Sequence, residues 1–257
     1  MRLVNDTLAT PVQLTTPTEH GFIVVATEFG RWAGPFPVPS GTRRRALRRA
    51  VDLTEKLARR DDVVEATVFR AALRPPGEGS ELLARAGVRP ARYDVVVLVR
   101  TDSTSAVDAV RADAAFVELE SVLRHRARHT HRIVADNAAR IADVDHRHDR
   151  WFLFNYFYCD DLDTVLAVWK YTAGWFQRHT ALPDSTLLRP LPGAATDYSV
   201  VSVVNHASWP TLRTFLPRLL FDRTFRTFVL ANFAANGVAA QPIIYRRAGA
   251  SSSRASA

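Results

Sequence analysis

WFLFNYFYCDDLDTVLAVWKYTAGWFQRHTAL, residues 151–182, decides the reading of the fold. Its opening residues are aromatic or aliphatic almost without interruption, the composition of a strand buried on both faces. The period then changes. Asp160 and Asp161 can cap the free amides of a helix start, and beyond them apolar side chains recur at Leu162, Val165, Leu166, Trp169, Thr172, Ala173 and Phe176, a helical stripe. The unit is a strand running directly into an amphipathic helix.

Outward from this unit, the second half reads as strand 151–158, helix 162–180, short strand 185–190 and strand 198–205. Ser208 is expected to cap a long helical region, 209–236, interrupted at Pro217 and stopped by Asn236-Gly237. A last strand covers 239–246, where Pro242 predicts an edge or a bulge. The first half follows the same order behind an irregular lead-in, residues 1–20. It comprises strand 21–29, helix 42–60, strand 63–73, strand 93–100, helix 103–125 and a weakly marked closing strand at 132–144. A loop at 30–41, stiffened by Pro35, Pro37 and Pro39, carries Trp32 and Phe36 and serves as a lid or as core cover. Each half is therefore a βαββαβ, ferredoxin-like unit, 21–144 and 151–247, joined by a linker at 145–150 and followed by a disordered tail at 248–257. The order of elements repeats at about 130 residues.

Composition excludes several classes. Hydrophobic residues make up 47% of the 257, enough for a sizeable core and too many for a disordered chain. Cys159 is the only cysteine, so an internal disulfide framework and a multi-cysteine zinc site are excluded, and a reducing compartment is expected. The N-terminal residues contain no continuous apolar run, and no stretch approaches the ~20 residues of a membrane helix, so the expected location is cytoplasmic. The net charge of +8 is almost wholly arginine, since Lys56 and Lys170 are the only lysines. Arg43, Arg44, Arg45, Arg48, Arg49, Arg59 and Arg60 fall on the polar side of one predicted helix. They could form a phosphate-binding face, but no nucleic-acid-binding motif accompanies them, and a solvated helix surface is the expectation.

A ferredoxin-like sheet covers one face with helices, so its other apolar face must be buried elsewhere. Two such units in one chain can bury those faces against each other. In this order of elements over residues 21–247 the chain resembles the dimeric α/β-barrel superfamily in its fused form, in which two sheets close around a central cavity. The implied class is α+β. A narrower resemblance lies in Val203-Val204-Asn205-His206-Ala207-Ser208-Trp209. It is similar to the antibiotic-biosynthesis monooxygenase branch, where a strand ends in asparagine and a tryptophan follows four positions later. In that branch the pair holds an aromatic polyketide and stabilises a carbanion or peroxide during cofactor-free oxygenation, roles that the resemblance gives to Asn205 and Trp209. The branch also places a tyrosine on the following helix, where this chain has Phe215.

The residues themselves point the same way. Asn155 among aromatics and Asn205 after a run of valines each cost roughly 1–3 kcal/mol unless hydrogen-bonded. Either neighbouring backbone or a ligand must satisfy them. His206 is a candidate general base, although a lone histidine at a strand end is more often structural. Tyr156, Tyr158, Trp169, Trp175 and Phe176 are candidate substrate-binding walls, or simply core. His125, His129, His131 and the run Asp145-His146-Arg147-His148-Asp149 have ligand-type residues, but the interleaved arginines disfavour a cation and no metal is expected. The cofactor expectation is none, with haem as the alternative, because fused barrels of the superfamily include haem proteins. The implied partner is a small apolar or aromatic molecule, not nucleic acid or membrane, with homo-oligomerisation open. A non-catalytic role in ligand sequestration or assembly is the rival from a different class.

Overall fold

The computed structural model describes residues 1–192 and 202–249. The first half contains β1 (Gly21–Glu28), a short hairpin of β2 (Trp32–Ala33) and β3 (Phe36–Pro37), α1 (Gly41–Leu57), β4 (Val63–Leu73), α2 (Ser80–Arg85), β5 (Val95–Thr101), α3 (Val107–Ala112), α4 (Ala114–Arg124) and β6 (His129–Ala142). The second contains β7 (Trp151–Tyr158), α5 (Leu162–Thr180), β8 (Asp184–Pro190), β9 (Ser202–Trp209), α6 (Leu212–Phe221), a π-helix (Phe225–Leu230), α7 (Ala231–Ala235) and β10 (Ala239–Arg247).

Eight strands form one closed ring, in the order β6, β1, β5, β4, β10, β7, β9, β8 and back to β6. Every neighbouring pair is antiparallel. Each half contributes four adjacent strands in the ferredoxin-like order, fourth-first-third-second. The halves meet at two seams, β4 with β10 and β6 with β8. Closure leaves none of these strands with an unpaired flank, so the α+β class is realised as a fused two-repeat α/β barrel.

The alternation of each strand divides its side chains between the inside of the ring and the helices outside. Phe22, Val24, Phe69, Leu98, Ile133, Phe152, Phe154, Val204 and Tyr245 fill the interior. Eight strands enclose a space that side chains can fill, and here they do, so the expected central cavity is a packed core instead. Outside the first four strands, Leu53, Leu57, Phe116, Leu119 and Leu123 of α1 and α4 pack on Val25, Val97 and Val99. Outside the second four, Val165, Trp169, Trp175, Phe228 and Phe233 pack on Phe157, Leu187 and Val203.

Several local expectations are corrected. Ser208 and Trp209 belong to β9 rather than to a helix start: Ser208 is held by Asp184, and Thr211 caps α6 by accepting from the Arg213 amide. Pro217 sits inside α6, and the break comes instead at Asp222, whose carboxylate accepts from the Thr224 amide. The helix expected at 103–125 is divided by Asp113, which leaves the helical region and caps α4. The weakly marked closing strand is the long β6, its pattern blurred by charged residues that point outward between buried ones. Pro242 lies where β10 pairs with β7 but has parted from β4, beside a register shift at Ile244/Tyr245. Of the strand read at 198–205, residues 198–201 lie outside the described residues, as do residues 250–257 of the tail.

Residues 1–20 form a strap across the second helix layer. Asn232 pairs with both backbone groups of Val4, Asn236 pairs with those of Arg2, and Thr15 bridges Arg140. Gly174 permits the crossing, because a Cβ there would lie 1.9 Å from the Thr10 carbonyl oxygen.

Candidate functional site

The second repeat leaves space between its sheet and its helices. On β7, Leu153, Asn155 and Phe157 point to that layer; on β9, Asn205, Ala207 and Trp209 do the same. Asn155 and Asn205 are direct register partners on adjacent strands. Two adjoining cavities open there. One, about 30 Å3, is lined by both asparagines with Ser185, Trp169, Phe176, Trp209 and Phe233. The other, about 140 Å3, continues past Asn155, Phe176 and Phe233 to the π-helix residues Phe225, Val229 and Leu230, with Glu78 and Arg226 at its rim.

The two amides are held differently. Ser185 Oγ donates to Asn205 Oδ1 at 2.6 Å, which fixes the amide and turns its NH2 group away from that contact. Asn155 Oδ1 is buried and has no hydrogen-bond partner among the described residues. An unpaired buried carbonyl in an apolar cavity calls for a donor from whatever fills the space. Trp209 lines the smaller cavity, its Nε1 donating to Thr180 Oγ1 at 3.2 Å and its ring stacked on Phe215 at 4.2 Å. Trp169 and Phe176 form wall.

The remaining sequence candidates lie elsewhere. Trp175 is fully buried in the helix layer, donating to Thr224 Oγ1 and stacked on His179. Tyr156 points into the barrel, where its hydroxyl meets that of Tyr245 at 3.3 Å. Tyr158 bonds Asp160 and, with Tyr156 and His131, lines a cleft of about 50 Å3 at one barrel mouth. The period of two sends Tyr156 and Asn155 to opposite faces.

His206 also points inward, into a chain that the sequence did not disclose. Its Nδ1 donates to the Leu153 carbonyl at 3.1 Å, so its Nε2 must accept, and His146 Nε2 donates to it at 2.6 Å. His146 Nδ1 meets Glu65 Oε1 at 2.6 Å. Burial pushes His206 well below its ordinary pKa, and positive charge from His146 adds to the effect. Burial alone would raise Glu65, but the His146 contact and Arg100 outweigh it and hold the carboxyl below the usual range. Both His206 nitrogens are committed, so it is no base for the sheet–helix cavity.

Haem, the alternative cofactor, needs an axial donor and room. Among the described residues, neither sheet–helix cavity has a His, Cys, Met or Tyr in its lining. The mouth cleft with its tyrosines and histidine is far smaller than a cofactor of that size requires. None of these three cavities fits haem. No described helix is long and apolar enough to cross a membrane.

The ring, its strand order and its helix layers define a dimeric α/β barrel made of two ferredoxin-like repeats in one chain. Solved structures share this fold. An anthrone oxidase-like protein superposes with a TM-score of 0.62 at 8% identity, over 90% of this chain and 94% of its own. A provisionally named monooxygenase from Fusobacterium nucleatum does so with a TM-score of 0.55 at 8% identity, over 90% and 93%. One from Lactobacillus acidophilus gives 0.50 at 6% identity, over 88% and 94%. No protein-family profile and no curated protein matches the sequence.

Proposed function

We propose that the chain binds a small aromatic molecule between its second sheet and helices and oxygenates it without a cofactor. The carrying observation is the register pair Asn155 and Asn205, two amides facing one apolar cavity, one with a buried carbonyl oxygen left unpaired. The cavity of about 140 Å3 and the adjoining one of about 30 Å3 together exceed the ~150 Å3 that holds benzene in an apolar core, room for one ring or a compact fused pair. The names of the structural neighbours, an anthrone oxidase-like protein and two monooxygenases, support the same reaction class.

The chemistry begins at a CH2 group acidified by an adjacent carbonyl. Glu78, the one carboxylate in the described cavity lining, takes the proton. The resulting carbanion places its charge on the carbonyl oxygen, where the Asn205 NH2 group can donate. Asn155 Oδ1 accepts from a substrate hydroxyl and sets the ring in plane. The carbanion reduces O2, a C–O bond forms, and the hydroperoxide loses water. Overall, one CH2 and one O2 become one C=O and one H2O.

Oxygen uptake with 2-indanone, a two-ring ketone whose CH2 groups adjoin the carbonyl, alongside quenching of tryptophan fluorescence by 1-naphthol, tests the reading. Saturable quenching is expected, with uptake above the buffer rate that Asn205→Ala and Glu78→Gln reduce. Quenching without uptake would assign the cavity to sequestration, and neither signal would remove the site.

A further inference from the structure

The outer layer of the first repeat carries a feature unrelated to that cavity. Between α1 and α4 runs a groove of about 490 Å3, lined by Thr42, Arg45, Ala46 and Arg49 on one side and Ser121, Val122, His125 and Arg126 on the other. We propose that this groove binds a small phosphate-bearing polyanion, such as an oligophosphate or a nucleoside polyphosphate.

Charge is the first ground. Arg45, Arg49 and Arg126 converge on the groove from two elements, and Arg44, Arg48, Arg124 and Arg128 stand close in sequence to it. Among the described residues only Arg49 of these has a carboxylate partner, Glu118. Arginine guanidinium groups present planar pairs of donors that match phosphate oxygens, and the Thr42 and Ser121 hydroxyls add neutral donors.

Backbone is the second ground. Arg126 has φ of +59°, in the left-handed region where glycine or asparagine would make the turn from α4 to β6 at less steric cost. The residue that makes this turn also lines the groove.

Shape selects the occupant. The lining is a short open groove that includes Ala46 and Val122, and Asp52 and Glu55 interrupt the basic run farther along α1. An extended nucleic-acid backbone would meet those carboxylates; a compact polyanion would not. The arginines read as a solvated surface thus divide, with Arg45 and Arg49 turned to the groove.

Calorimetric titration of the full chain with tripolyphosphate, ATP and inorganic phosphate tests the site, and the order of the three separates a free oligophosphate from a nucleotide. Saturable binding is expected for at least one of the first two, weakening as salt rises. Arg45→Gln and Arg126→Gly should each weaken it about tenfold or more, the loss of one charge-assisted contact. Arg44→Gln should leave it unchanged, and Arg126→Gly should melt at or above the native temperature. Absence of saturable heat, native affinity retained in both groove variants, or tighter binding of a short DNA duplex than of tripolyphosphate would overturn the proposal.

Discussion

Asn155 and Asn205 look alike in sequence, yet their surroundings predict opposite responses to substitution. Removing the Asn205 amide leaves the fully buried Ser185 hydroxyl without its acceptor, a cost of about 1–3 kcal/mol. Asn155→Leu removes an unpaired oxygen and fills space, so stability should rise or hold while 1-naphthol quenching is lost. Urea unfolding of Asn205→Ala, of Asn205→Ala with Ser185→Ala, and of Asn155→Leu checks this; the double variant should regain most of the loss in stability without regaining ligand. The expense of both amides was legible from the apolar runs around them. The Ser185 partnership was not, because it depends on the register between β8 and β9. His146 was hidden for a similar reason: it sits in a polar run, and its burial is set by Glu65 and His206 from distant strands.

Two buried histidines make stability depend on pH. Burial beside His129 pushes His131 down to about 3, and burial holds His206 well below its ordinary value. Both stay neutral in the folded chain, whereas in the unfolded chain each titrates near ~6.5. As pH falls below that value the unfolded state binds protons that the folded state refuses, so stability is lost. For His131 the slope rises toward about 1.4 kcal/mol per pH unit, or roughly 1.6 kcal/mol between pH 6.5 and 5, and His206 acts in the same direction. Glu65, with its lowered pKa, adds its loss only in more acidic solution. The urea midpoint should fall from pH 7.5 to 5, and the fall should be smaller in His131→Phe. A midpoint unchanged over that range would contradict the assignment.

At the scale of elements, β7 and α5 were read with the limits that the structure has, since their hydrophobic periods differ sharply and Asp161 caps the helix. The region after Asn205 was misread because Ser208 and Trp209 fit a helix start as well as a strand end. Only Asp184 on β8 and Trp151 on β7 decide between them. The N-terminal strap had no pattern to read, since its bonds run to side chains of the second helix layer. Gly174 exposes this dependence. In a helix, Gly→Ala ordinarily gains about 1 kcal/mol, but here the added methyl collides with the Thr10 backbone. Gly174→Ala should therefore destabilise the full chain and expose residues 1–20 to protease. In a chain lacking those residues it should stabilise. Thermal melts of the four combinations give the sign in each background.

At the scale of the molecule, the repeating order of elements carried the fold class, and the need to cover two bare sheet faces carried their union. The interior was not legible in detail: alternation places Phe152, Phe154 and Tyr245 inside, but whether they leave a hollow depends on how side chains from opposite strands interlock. The two halves share both seams, and His146 ties the connecting segment to Glu65 and His206. A protease site introduced at the exposed Arg147 and His148 should thus yield two fragments that co-elute as a one-to-one complex on gel filtration and part only in denaturant. Fragments that separate in native buffer would show that the seams contribute little.

The seam between β4 and β10 has a consequence for biosynthesis. The ribosome makes β4 early and β10 last of the ring, so about 170 residues must be translated after β4 before its partner exists. At roughly 5–20 residues per second, the nascent chain holds an unpartnered hydrophobic sheet for on the order of ten to thirty seconds. Chaperones that shield such surfaces should raise soluble yield, and a stop codon placed before Ala239 should give a chain that they hold without release.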